Sequence, residues 1–366
     1  MTQESFSKAM LRYLAEQLQR YPAMQQQDIV KFVFQAMLGA GHLVSSRDAV
    51  AEYAAREMAL LPADPGETLY EMLSPSWCRL NLRAAKARAF TPSVIAGLMS
   101  SPGKTVPFTR QDVYTFCKEF TAGKLLIRDP ALLNRILDET WLPSHSAAYR
   151  EQYRPAYRVI PAEWISRMEV LQQISEQKAA RVLVTMDGPC ATGKTTLAGK
   201  LADIFEAAVV HTDDYVIPHA QKTAERLAIP GGNCDAGRLV REVAAPWKQG
   251  KSVLYRKYDF RNDRLLPEEK LPDCRILILE GSYCSLPALR QYADVRIFVT
   301  ASWETRLNRL RKRESPRSLQ MFFDRWIPLE DRYFEAFRLP DSDCAVLNEG
   351  ESDLVSISAV SVVHLH

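Results

Sequence analysis

Val182-Leu183-Val184-Thr185-Met186-Asp187-Gly188-Pro189-Cys190-Ala191-Thr192-Gly193-Lys194-Thr195 decides the architecture of the second half of the chain. Residues 182–186 are a short apolar, β-branched run ending at an aspartate, which predicts a buried strand. From Gly188 the pattern GxxxxGK[ST] is complete, so the strand feeds a Walker A phosphate-binding loop that opens a helix at about Thr195. The glycines let the backbone turn tightly enough for consecutive N–H groups to face phosphate oxygens, and the helix adds its positive N-terminal end. Gly188, Pro189, Cys190, Ala191, Thr192, Gly193, Lys194, Thr195 and Thr196 are therefore expected to bind nucleotide. Lys194 is expected to neutralise the β- and γ-phosphates, and the Thr195 hydroxyl to hold Mg²⁺.

Outward from this loop, apolar runs recur at Ala208–Val210, Ile276–Leu279 and Val295–Val299, with helical patterns between them, and Cys344–Leu347 reads as one more strand. Strands alternating with helices predict an α/β unit, a parallel sheet covered by helices on both faces. Before residue 180 no convincing strand alternation occurs. Phe6, Met10, Leu11, Leu14 and Leu18 recur at helical spacing, as do Ile29, Val30, Val33, Phe34, Met37 and Leu38, with a stop at Gly39. Further helices are expected at Trp77–Phe90, Ser93–Ser100, Thr109–Phe120, Ala131–Trp141 and Ala162–Lys178. The prediction is thus an all-helical N-terminal domain over 1–178 and a P-loop domain over 179–366.

The 366 residues are 47% hydrophobic and 25% charged, an ordinary globular mix. The net charge of +3, from 47 basic and 44 acidic residues, carries no global signal for nucleic acid or membrane. Seven cysteines with no CxxC pair read as reduced thiols. Met1–Arg20 reads as an amphipathic helix and not as a signal peptide, so a cytoplasmic protein is expected. Among the histidines no metal-ligand spacing occurs; His42, in Gly39-Ala40-Gly41-His42, reads as structural. From Tyr149 to Arg158, tyrosines and arginines interleave at four-residue spacing. On a helix Tyr149 and Tyr153 share one face and Arg150 and Arg154 its neighbour, a pattern that suits either a buried surface with extended arginines or the binding of a phosphate, a base or RNA.

Three further segments bear on chemistry. His211-Thr212-Asp213-Asp214-Tyr215 follows the second strand of the α/β half, where carboxylates enter the ligand crevice beside the P-loop. One of the two aspartates can take a proton from an attacking hydroxyl and the other can help hold the metal; position alone does not choose between them. Leu279-Glu280-Gly281 ends a later strand and puts Glu280 near the metal as a second acidic ligand. Arg306 to Glu314 is a basic helix whose arginines suit a lid over a transferring phosphoryl group.

Taken in order, these segments resemble the uridine kinase, phosphoribulokinase and pantothenate kinase branch of P-loop kinases, over roughly residues 181–348. The resemblance rests on the P-loop, on Thr212-Asp213-Asp214-Tyr215, on Asn233-Cys234-Asp235-Ala236 with Trp247-Lys248-Gln249-Gly250-Lys251, on Tyr258-Asp259-Phe260 followed by Arg264, and on Arg306-Leu307-Asn308-Arg309 with Arg313-Glu314. It implies an ATP- and Mg²⁺-dependent kinase acting on a small-molecule alcohol. By the same resemblance Asp213 is the base and Lys194 and Arg313 assist catalysis. Asp235, Tyr258, Arg264 and Arg309 bind the acceptor, while Thr195, Glu280 and Asp214 serve the metal. A nucleoside is the first acceptor implied. A pantothenate- or sugar-type acceptor and a nucleotide-gated regulator are the alternatives. The family pattern is departed from at Cys234, where proline is usual, at Leu310, where a second consecutive arginine is usual, and in the loop after Phe260, which is one residue shorter and lacks a histidine.

Overall fold

A computed structural model describes residues 3–40, 46–101, 108–119 and 127–349. They form two compact units, Met1–Met168 and Glu169–His366. His42 lies outside the described residues.

The first unit is mainly helical, but not helical throughout. Helices run over Gln3–Arg20, Gln26–Leu38, Arg47–Leu60, Pro92–Ser100, Arg110–Glu119, Pro130–Ile136 and Ala147–Tyr153. Among them lies a three-stranded antiparallel sheet of β1 (Tyr70–Met72), β2 (Trp77–Asn81) and β3 (Tyr157–Pro161), in the order β1-β2-β3. Trp77–Phe90 was expected to be one helix. It is the central strand β2 followed by the short helix Leu82–Ala87, with the Asn81 side chain accepting from the amides of Arg83 (2.9 Å) and Ala84 (3.3 Å) at the junction. The reason is burial on both faces. Trp77, Cys78, Arg79 and Leu80 are all buried, so the strand shows no polar alternation, and Arg79 is accommodated by Gln17 (2.9 Å), Gln35 (3.3 Å) and Glu71 (3.5 Å). The helix expected over Ala131–Trp141 starts at Pro130, capped by Asp129, and stops at Ile136.

The second unit holds a five-stranded parallel sheet in the order β12-β11-β4-β10-β5. Its strands are β4 (Val182–Asp187), β5 (Ala208–His211), β10 (Ile276–Glu280), β11 (Val295–Thr300) and β12 (Ala345–Asn348). Two-residue strands β6 (Leu254–Tyr255), β7 (Tyr258–Asp259), β8 (Arg264–Leu265) and β9 (Glu269–Lys270) pair as β6–β9 and β7–β8 outside this sheet. Every residue of β4 and β10 is buried, which is why they read as uninterrupted apolar runs. Leu183, Leu277 and Leu279 pack with Tyr215, Trp247 and Tyr333 in one core. The Trp247 indole also donates to the Val182 carbonyl (3.2 Å), so a wholly buried ring keeps its polar atom satisfied. Register sets Glu280 beside both Met186 of β4 and His211 of β5. Three adjacent strands therefore end at one level, and the segments that follow two of them meet around Glu280.

Candidate active site

The loop after β4 is held from below. Asp187, fully buried, accepts from the Gly188 amide (2.7 Å), the Ser285 amide (2.8 Å) and the Tyr333 hydroxyl (2.6 Å). Burial raises its pKa, and those donors together with Lys194 pull the other way. Gly188 sits at φ +136°, and a Cβ there would lie 2.1 Å from the Val299 carbonyl oxygen of neighbouring β11. Only glycine fits where the loop leaves the sheet. The helix Lys194–Phe205 starts directly behind the loop. The Lys194 ammonium donates to the carbonyls of Gly188 (2.7 Å) and Pro189 (2.8 Å), curled over the loop whose ligand it is expected to meet.

Glu330 is a second buried carboxylate under the loop, absent from the sequence-based expectations. It accepts from the Cys190 amide (2.9 Å) and the Ser282 hydroxyl (2.6 Å). Burial raises its pKa, opposed chiefly by the Lys194 charge. The Cys190 thiol beside it is pushed up to about 11 by burial and by the Glu330 charge. Glu330 and Tyr333 are three residues apart on the helix Ile327–Phe337, so both point to one side and together buttress the loop.

At the ends of β10 and β5, Thr195, Glu280 and His211 converge. The Thr195 hydroxyl donates to Glu280 Oε1 (3.0 Å), and His211 Nδ1 bonds the same oxygen. That bond to Glu280 raises the His211 pKa. Gly281 follows at φ +127°; a Cβ there would lie 2.1 Å from Thr212 Oγ1, which donates to the Ser282 carbonyl (2.8 Å). This contact sets the start of the Asp213–Asp214 turn. The two aspartates diverge. The Asp213 carboxyl is open to the crevice, yet the protein around it raises its pKa by desolvation, opposed by Lys194; Glu280 raises it further, and His211 and Arg313 lower it. Asp214 is raised by desolvation too, but after His211 the charges it senses are Lys257, Asp213 and Glu269. The charges around the two carboxyls differ accordingly: Lys194 and Glu280 act on Asp213, while Lys257 and Glu269 act on Asp214. The Asp214 carbonyl is fixed by Arg238 Nη2 (2.7 Å), whose guanidinium lies over the Tyr215 ring (4.2 Å).

The helix Trp303–Arg313 approaches from the other side. Arg306 Nε donates to the Cys190 carbonyl (2.9 Å), and Arg309 Nη1 donates to the carbonyls of Ala191 (3.1 Å) and Thr192 (2.7 Å). Arg309, expected at the acceptor, thus lies against the phosphate-binding loop. Arg306 and Arg309 thus take three consecutive loop carbonyls, those of Cys190, Ala191 and Thr192. Arg313 is exposed, bonds Glu314 (2.7 Å), and reaches Asp213 electrostatically.

Of the remaining acceptor residues, Asp235 caps the helix Ala236–Leu239 by accepting from the Arg238 amide (3.0 Å). Tyr258 is buried on β7 and donates to Asp263, which also accepts from the His219 amide (2.9 Å). Arg264 is exposed on β8 opposite Asp259, whose carboxyl is held low chiefly by the Asn262 side chain and only last by the Arg264 charge. Asp235 and the β7–β8 hairpin are thus separately braced, and no bond joins them to Asp213.

Among the described residues no three His, Cys, Asp or Glu side chains form a metal cage. The donors present, a threonine hydroxyl with Glu280 and Asp213 nearby, suit Mg²⁺, which takes one or two carboxylates and fills its shell with water and phosphate oxygens. All seven cysteines are free thiols. No helix among the described residues is long and apolar enough to cross a membrane.

Residues 183–316 match the family model described as "Phosphoribulokinase / Uridine kinase family". Among curated proteins, "Inorganic pyrophosphatase TTM2" of Arabidopsis thaliana is 30% identical over 137 residues, covering 35% of this chain and 19% of that protein. "Uridine-cytidine kinase B" of Dictyostelium discoideum is 26% identical over 191 residues, covering 49% of this chain and 79% of its own. This chain therefore spans about a fifth of the plant protein's length and about four fifths of the Dictyostelium one. Among solved structures, "Structure of a Possible Uridine Kinase from Bacillus stearothermophilus" aligns with 51% of this chain and 96% of its own at 19% identity and a TM-score of 0.38. Over residues 183–316, the stretch from β4 to the arginine helix, this chain is similar to the phosphoribulokinase / uridine kinase family.

Proposed function

We propose that the second unit is an ATP-dependent kinase that transfers the γ-phosphoryl group to a hydroxyl of a small metabolite, with nucleosides and other ribose-bearing alcohols as the first acceptor class. One arrangement supports this reading: Thr195 bonds Glu280 at the ends of three adjacent strands, with the Lys194 ammonium on the loop carbonyls and the Asp213 carboxyl within the electrostatic reach of Lys194 and Glu280. Loop amides and Lys194 would hold the phosphates; Thr195 and Glu280, with Asp213 nearby, would hold Mg²⁺. Bound there, Mg²⁺ would neutralise charge on the phosphates.

Asp213 then takes the proton of the acceptor hydroxyl as its oxygen bonds to the γ-phosphorus and the bond to the β-phosphate oxygen breaks, releasing ADP. Its raised pKa makes it a stronger base than an ordinary carboxylate. Arg313 is the cation that meets charge on the transferring group. Asp235, Tyr258 and Arg264 lie on segments suited to hold the acceptor, and acceptor identity rests on them. A regulator that uses ATP only as a switch would have no use for a base within reach of the lysine.

The test is ADP release by the full chain with Mg²⁺-ATP, with and without a panel of nucleosides, pantothenate and sugars. Acceptor-dependent turnover that Lys194→Ala abolishes supports the kinase. Slow hydrolysis indifferent to every acceptor supports the switch. Inorganic pyrophosphate belongs in the same panel as a substrate, because two partial relatives carry pyrophosphatase names. Pyrophosphate cleavage faster than any phosphoryl transfer would replace the kinase assignment.

A further inference from the structure

The first unit contains a cavity of about 840 Å³ whose lining includes Lys31, Arg150, Arg154 and Arg158. The four cations come from three elements: the helix Gln26–Leu38, the end of the helix Ala147–Tyr153, and β3. The four-residue spacing noted in the sequence separates two faces as expected. Tyr149 and Tyr153 pack against Tyr21, and Tyr149 stacks on His145 (4.1 Å, 7°), while Arg150 and Arg154 line the cavity. Arg154 closes its helix at φ +42°, a left-handed position where glycine or asparagine is the usual occupant.

The charges in and around the cavity do not balance. Arg158 is paired with Glu57 (2.6 Å). Buried Asp28 is consumed by Ser146 (2.6 and 2.9 Å), the Gln25 amide (3.0 Å) and His145 (2.9 Å). Burial holds His145 down at about 4, so it stays neutral and adds no charge. Lys31, Arg150 and Arg154 form no side-chain hydrogen bond or ion pair among the described residues. Burial, with the like charges of Arg79, Arg150 and Arg158, pushes Lys31 down to about 8 against the pull of Asp28. A half-buried ammonium beside further cations, with no anion of its own, is a poor arrangement for stability and a good one for a bound anion.

The rest of the lining is organic in character. Val50, Leu61 and Met99 supply apolar wall, and Tyr53, 65% exposed, offers its ring at the mouth with the Arg158 guanidinium 5.1 Å from the ring centre. The volume falls within the ~300–1,000 Å³ typical of small-molecule sites, whereas nucleic acid would call for an extended basic surface. We infer that this cavity is a second ligand site, independent of the P-loop, which takes an organic phosphate monoester: the phosphate against Lys31, Arg150 and Arg154, the organic body against Tyr53 and the apolar wall.

The test is calorimetric titration of the full chain with phenyl phosphate, with inorganic phosphate, phenol and poly(U) as separate arms. Saturable phenyl phosphate binding is expected, tighter than inorganic phosphate, with none for phenol. Each of Arg150→Gln, Arg154→Gln and Lys31→Met should weaken it about tenfold or more, the scale of one charge-assisted hydrogen bond. Lys194→Ala should leave it unchanged. Lys31→Met should also melt no lower than the unmodified chain without ligand, because it removes an uncompensated cation. Should that variant misfold, the two exposed arginines carry the test. No saturable phenyl phosphate binding, binding lost in Lys194→Ala, or binding unaffected by all three cavity variants would overturn the proposal. Equal affinity for inorganic phosphate would refute the organic body. Binding of poly(U) alone, lost in the arginine variants, would make this a nucleic-acid surface instead.

Discussion

Removing the Glu330 carboxylate should loosen the phosphate-binding loop by an amount the geometry allows one to work out. In Glu330→Ala the Cys190 amide loses its 2.9 Å acceptor, while the Ser282 hydroxyl keeps a second acceptor in the Gly188 carbonyl at 3.3 Å. A hydrogen bond to a charged acceptor contributes ~1.5–3 kcal/mol, and leaving the part-buried Cys190 amide without an acceptor costs a further ~1 kcal/mol. Against these stands the desolvation that raises the Glu330 pKa, so the net loss should be about 2–4 kcal/mol. For a unit of this size that lowers the melting temperature by about 5–15 °C. Glu330→Gln should recover at least half, since its carbonyl can take the Cys190 amide and its NH₂ can donate to Ser282. The pH dependence has a definite sign. A glutamate whose folded pKa lies above its unfolded 4.5 contributes most below that value and less as pH rises through the folded one. The glutamine variant should therefore gain on the unmodified chain as pH rises above 4.5. The assay is scanning calorimetry of the full chain, following the transition that Mg²⁺-ATP raises. An alanine variant that melts within about 1 °C of the unmodified protein, or a glutamine variant as damaged as alanine, would refute the reasoning.

Two further predictions concern catalysis. Asp213→Asn should lower kcat by ~10²–10⁴-fold with little change in ATP affinity, and Asp214→Asn should cost much less; steady-state turnover at saturating ATP decides, and a reversed ranking would move the base to Asp214. Because the Asp213 pKa is raised, the acidic limb of kcat/KM should rise through a value above the ordinary 3.8, and Asp213→Asn should remove that limb. Arg309→Ala should raise the KM for ATP, since its guanidinium braces the loop carbonyls, whereas Arg313→Ala should act mainly on kcat; identical effects of the two would put both arginines in one role.

The α/β half was legible in the sequence because its central strands are buried on both faces and its loop pattern has one geometric solution. The strand at Ile276–Leu279 and that at Val295–Val299 each appear with one further residue, and Cys344–Leu347 appears as Ala345–Asn348. The same burial that exposed those strands concealed β2, whose apolar residues lie between helices that had already accounted for hydrophobic periodicity. Glu330 and Tyr333 escaped notice for a different reason. They act on the loop through space, Glu330 across 140 positions from Cys190, and no local spacing announces such a bond. Arg309 was placed by motif, and motif fixes position along the chain but not the direction a side chain takes. The basic cavity was half visible: the four-residue spacing gave its arginine edge, while Lys31, over a hundred residues earlier, had no signal that joined it to them.

The arginine helix has the proportions of a ruler. Arg306, Arg309 and Arg313 recur at steps of three and four and so share one edge, with the first two pinned to backbone carbonyls of the loop. At ~1.5 Å per residue, Arg313 stands about 6 Å beyond Arg309 along the axis. The zero mark of this ruler is therefore the loop itself, and any settling of the loop around a nucleotide carries the third arginine by the same increment. A chemical event would then be gauged from the backbone that grips the substrate. Lengthening the helix by one residue between Arg309 and Arg313 would rotate the last mark off the edge while leaving the grip intact.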